Sequence, residues 1–162
     1  MMNPENRIRF DTKDIETKTA EFETRFKALA NLSSGNKVGI DDEGNLYAEF
    51  FTNPYVMAVI RKITGQKREN INAFLIQHLG DYEEFLLFVI NAYETGDQAQ
   101  KGNMTSTITT HKMLCLGLVT GLKNLKNSYP DYEPINETCT KYMDKFNLFK
   151  GKSNSLALPF SD

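Results

Sequence analysis

"INAFLIQHLGDYEEFLLFVINAYETG", residues 71–96, decides between a helical and a β-rich fold. In its first half, apolar side chains recur at Ile71, Phe74, Leu75 and Leu79, one face of a 3.6-residue period, and the run stops at Gly80. Asp81 with Glu84 then forms a D-x-x-E capping pair, in which a side-chain oxygen satisfies a free N–H at a helix start. The second half, closed by Gly96, is apolar on nearly every side. The expectation is two helices, roughly 67–79 and 81–95, joined at one glycine, with the second the central and most buried element.

The same punctuation extends outward. Thr52 and Asn53 precede Pro54, a favoured first helical residue, which predicts a helix running to Gly65. Nearer the N-terminus, Asp11 or Thr12 can cap a helix whose Ile15, Phe22, Phe26 and Leu29 form one amphipathic stripe. Between these two segments, "KVGIDDEGNLYAEFF" alternates Val38 and Ile40 before an Asp-Asp-Glu-Gly turn, then Leu46, Ala48 and Phe50 after it. That pattern predicts one short β-hairpin near residues 37–51.

Downstream, "GDQAQKGNM" reads as a polar loop leading to a helix of roughly residues 104–127. Pro134 then starts a last helix with Ile135, Cys139, Tyr142, Phe146 and Phe149 on one face. The fold class is therefore mainly α: a compact multi-helix bundle of about six helices with one hairpin. Residues 1–151 are expected to form a single helical domain and residues 152–162 a flexible tail, whose apolar Leu156, Leu158 and Phe160 are candidates for a partner contact. Gly117 and Gly121 sit four residues apart on one helix face. Each lowers helix propensity by about 1 kcal/mol relative to alanine, so they mark a helix-packing or oligomer face where another backbone comes close.

Composition narrows the function classes. With 162 residues, 40% of them hydrophobic, the chain can bury a core without disulfides or metals. A net charge of −2 gives no general attraction to nucleic acid or anionic membranes. The most apolar stretch, "MLCLGLVTGL" at 113–122, is about half of what a membrane span needs. A cytoplasmic or virion-associated protein is expected, with Cys115 and Cys139 as reduced core thiols.

Sequence patterns of known chemistry are missing. Neither His78 nor His111 stands three or four residues from another good metal ligand, and no nucleophile elbow or phosphate-binding glycine loop occurs. "DDEGN" has its glycine one position early for a calcium loop. His78 is expected at the core edge beside a helix end, and His111, after "TSTITT", at the surface or boundary. No catalytic residue, metal, cofactor or small-molecule substrate is therefore assigned.

Charge, by contrast, is sorted along the chain. Residues 61–80 carry four cations and one acid, 81–100 carry five acids and no cation, and 101–130 carry four cations and no acid. Such sorting suits helices that meet oppositely charged neighbours, within the fold or across a symmetric interface. The basic turn "VIRKITGQKREN" places Arg61 and Lys62 at a helix end, where cations complement the dipole, but Lys67 and Arg68 at a helix start, where they oppose it. A bound phosphate would reverse that conflict. The first expectation is a non-catalytic, self-associating interaction or assembly protein, such as a viral or phage structural or accessory component. The alternative is a nucleic-acid-binding accessory factor using Arg61, Lys62, Lys67 and Arg68.

Overall fold

The structure is a computed structural model and describes residues 11–32, 38–40, 46–48 and 68–156. It is mainly helical. A 3-10 turn, Thr12–Asp14, leads into α1 (Ile15–Ala30), and the strands β1 (Val38–Ile40) and β2 (Leu46–Ala48) follow. Three long helices complete the described chain: α2 (Arg68–Thr95), α3 (Gln98–Ser128) and α4 (Glu133–Ser155).

Among the described residues there are thus four α-helices rather than about six, for identifiable reasons. Gly80 does not stop a helix. Ile71, Leu75, Leu79, Tyr82, Leu86, Val89 and Tyr93 keep helical phase straight through it, and all are buried. Cooperative propagation along a stripe of this kind outweighs the roughly 1 kcal/mol that one glycine costs. The Asp81–Glu84 pair therefore lies mid-helix and caps nothing. Gly80 instead makes room for a neighbour, since a Cβ there would sit 3.3 Å from the Tyr142 hydroxyl of α4.

The expected loop before residue 104 is likewise helical. Asp97, in extended conformation, accepts a 2.8 Å hydrogen bond from the Gln100 backbone N–H and so starts α3 at Gln98. The Gln100 side chain reaches back to the Ala92 carbonyl, tying the start of α3 to the end of α2.

At the other end, α4 continues through residues 152–155, the first part of the expected tail, with Ser153 buried and Leu156 packed against the core. Leu158 and Phe160 lie outside the described residues, as does the helix expected over 54–65. Of the hairpin expected near 37–51, the described part is an antiparallel pair of three-residue strands, with Val38 opposite Ala48 and Ile40 opposite Leu46. The turn between the strands and Phe50 are outside the described residues.

Helix directions follow from the cross-contacts. Thr19 meets His111, and Leu32 meets Asn124, at the same sequence separation of 92, so α1 and α3 run parallel. Asn72 meets Thr138, and Glu83 meets Lys145, so α2 and α4 also run parallel. α3 and α4 are antiparallel, joined by the short turn at Tyr129–Tyr132, and α3 lies along both α4 and α1. The strand pair rests on α1 and α2, contributing Val38 and Leu46 to the core. Tyr82 is the hub, its ring 4.9 Å from Phe22, 5.3 Å from Phe26 and 5.7 Å from Phe146, so it ties α1 and α4 to α2. Aromatic pairs at such separations each add about 0.5 to 1.5 kcal/mol beyond the area they bury.

Candidate functional site

Among the described residues two arrangements stand out, a buried polar cluster and an open apolar groove. The first is internal. His111 is not at the surface but 0% exposed. The Thr-rich run before it is helical, which places His111 in the series Met104, Ile108, His111, Cys115, Leu118, Leu122, Leu125, spaced by alternating fours and threes and buried throughout. Its Nε2 lies 2.9 Å from Thr19 Oγ1 on α1, and its Nδ1 lies 2.6 Å from the Tyr82 hydroxyl on α2. The Phe85 ring stands edge-on to the imidazole at 5.3 Å.

Burial holds the His111 pKa down to about 4, so the ring is neutral at physiological pH. A neutral imidazole has one donor and one acceptor; one of the two hydroxyls therefore donates to the ring and the other receives from it. Cys115 shares a hydrogen bond with Tyr82, and burial, the largest influence, pushes its thiol up to about 12. Tyr82 is raised as well, again first by burial. Every group in this cluster is thus held in its uncharged form. Walled by Phe22, Phe26, Phe85 and Phe146, the cluster pins α1, α2 and α3 in one register.

His78 is half-buried, its ring 4.4 Å from Phe74. Because the helix does not end at Gly80, no dipole favours its charge. Burial first, and Arg25 second, lower its pKa. Among the described residues no group of three or more His, Cys, Asp or Glu is placed to hold a metal ion, and no helix is long and apolar enough to cross a membrane.

The glycine face is occupied by the chain's own α1. A Cβ on Gly117 would lie 3.2 Å from Ala30 Cβ and carbonyl oxygen, while a Cβ on Gly121 would overlap the Leu29 carbonyl. Of the basic turn, Arg61, Lys62 and Lys67 lie outside the described residues. Arg68, the first described residue of α2, has its guanidinium over the Tyr132 ring, 4.7 Å from the centroid, which gives the cation a partner on α4's N-terminal side. Leu156 packs on the core rather than projecting as an arm.

The second arrangement is open. Between α2 and α4 runs an apolar groove of about 300 Å³ with Leu86, Ile90, Phe146 and Phe149 on its floor and Leu87 and Leu148 on its lips. The lip leucines are 55% and 69% exposed. One end is closed by the ion pair between Glu83 and Lys145 at 3.1 Å, and Lys152 stands at the other. The helix expected to be the most buried element is therefore not covered on every side: Leu87 stands exposed on the flank of α2 beside the groove. On α3, the outward face exposes Met113 (63%) and Leu116 (45%). The heptad series through His111 leaves both off the buried stripe, and that was the available signal.

Compared with known proteins, the chain matches no family model, no curated protein and no solved structure.

Proposed function

We propose that this chain is a non-catalytic interaction protein that associates with further copies of itself. The observation that carries this reading is the separation of charge between two helices. α2 holds Arg68 against Glu69, Asp81, Glu83, Glu84 and Glu94, a net −4, whereas α3 holds Lys101, Lys112, Lys123 and Lys126 and no acid, a net +4. The two helices share less contact with each other than either makes with α4. Among the described residues the ion pairs are Lys18–Glu21 and Glu83–Lys145, so only one acid of α2 and no lysine of α3 is paired. Lys101 instead sits over Tyr93, and Lys126 donates to Thr140.

Opposite charge on separate faces of one molecule, each face with bare apolar residues, favours contact between copies and steers it. The inward polar cluster, by contrast, is neutral and enclosed by aromatic rings, which suits fold specification better than turnover. For the nucleic-acid reading, no observation on the described residues favours Arg68 as a phosphate ligand over its stacking on Tyr132.

Light scattering at tens of micromolar tests the proposal. At an ionic strength of about 0.05 M the weight-average mass should exceed the 18.5 kDa of one chain, and it should fall towards that value near 1 M, where screening acts within about 3 Å. A mass of one chain at both salts would refute self-association.

A further inference from the structure

We propose that the contact between copies is head to tail: the outward stripe of α3 centred on Met113 and Leu116 seats in the α2–α4 groove of the next copy at Leu87. This inference rests on the self-association proposed above and specifies its surfaces. The two faces match in pattern. On α2, Glu84, Leu87, Asn91 and Glu94 fall three, four and three residues apart, a single helix stripe with acids at both ends and an exposed leucine between. On α3, Lys112, Leu116 and Lys123 fall four and seven apart, a single stripe with lysines at both ends and an exposed leucine between, and Met113 beside it.

Spacing agrees too. Glu84 and Glu94 are ten residues apart, about 15 Å along the axis, and Lys112 and Lys123 are eleven apart, about 16 Å. Laid side by side, the lysines of one copy reach the acids of the other while Met113 and Leu116 enter the groove past Leu87. Between Lys101 and Lys112 the outward face of α3 presents Asn103, Ser106 and Thr109, which are exposed, uncharged and compact enough to lie close to a neighbouring helix. Lys145 is already neutralised by Glu83, so Lys152 is the like charge the incoming helix must clear.

The α3 stripe and the groove are different surfaces, so the contact is heterologous. Each copy offers one of each, and association continues into a ring or an open chain rather than stopping at a dimer. Self-pairing of the α3 stripes would set lysines of one copy against lysines of the other and is disfavoured by that repulsion.

A complementation experiment tests this. Leu116→Glu removes the inserted stripe and Leu87→Glu blocks the groove; both positions are exposed, so circular dichroism should show each variant folded. Sedimentation velocity should find each variant alone monomeric, while an equimolar mixture forms a dimer and nothing larger, because one good stripe meets one good groove. Either variant assembling like the wild-type chain, or a mixture that stays monomeric, would overturn the head-to-tail contact without touching self-association itself. A wild-type chain that never associates would overturn both. Should a glutamate variant misfold, the charges carry the same test: Glu84→Lys with Glu94→Lys should weaken assembly, as should Lys112→Glu with Lys123→Glu, and mixing the two should restore assembly with the variants alternating, since each stripe then meets a groove of opposite charge in the other variant. Absence of that rescue would equally overturn the proposal.

Discussion

Gly121→Ala should destabilise the protein by about 3 kcal/mol or more, towards the upper range for overpacking a tight contact. The added methyl would overlap the Leu29 carbonyl oxygen and lie 2.9 Å from its carbon, both backbone atoms of α1. No rotamer change can relieve such a clash. α1 and α3 must move apart, straining Thr19–His111 and Asn124–Leu32 in the same interface. Gly117→Ala meets Ala30 at 3.2 Å and should cost less. Gly102 and Gly151 are the internal controls. Both lie inside helices with nothing within 4 Å of a new Cβ, so alanine at either should stabilise by about 0.5 to 1 kcal/mol through higher helix propensity. Denaturant midpoints with unchanged slopes check all four, and a neutral Gly121→Ala would mean that α1 does not sit where the structure puts it.

The second large effect is a loss of stability in mild acid. His111 has a folded-state pKa of about 4, below its ordinary value of 6.5, so the unfolded chain binds the extra proton first. This group therefore contributes its full stability above about pH 6.5 and loses it progressively as pH falls towards 4. A gap of about two and a half pKa units corresponds to about 3 kcal/mol. Carboxylates titrate in part of the same window, and His111→Gln separates the contributions: it removes the proton-binding ring, keeps a donor and an acceptor, and leaves the carboxylates unchanged. Unfolding free energies measured from pH 7 to pH 4 should fall more steeply for the wild-type chain than for the variant by about this amount. Parallel curves would mean that the imidazole is not held neutral in the fold.

The sequence made the class of the fold legible because amphipathic periodicity depends on the local chain alone. Ile15, Phe22, Phe26 and Leu29, and likewise Ile135 through Phe149, are core residues in the structure. Element boundaries were harder, since they turn on whether one breaker outweighs a neighbouring stripe. At Gly80 the stripe wins, and its phase was visible across the glycine. At Gly102 it wins again, with Asp97 and Gln100 as an overlooked start signal. His111 was misplaced because threonines dilute the hydrophobic pattern, although its position between Ile108 and Cys115 is a core position. The α2–α4 groove was out of reach of sequence reasoning, because it exists only once two segments 60 residues apart lie parallel. The sorting of charge, visible from the start, becomes a statement about surfaces only when, among the described residues, the lysines of α3 and all but one acid of α2 are seen to form no ion pair.

The claim that the outward face of α3 meets another copy is tested most directly by methyl NMR of labelled methionine across a dilution series. Met113 projects from that face, and Met104, on the same helix, is buried. On concentrating the protein, the Met113 methyl resonance should shift or broaden while that of Met104 stays fixed, and the change should reverse on dilution or in high salt. A Met113 signal that stays constant while the particle mass grows would contradict the account.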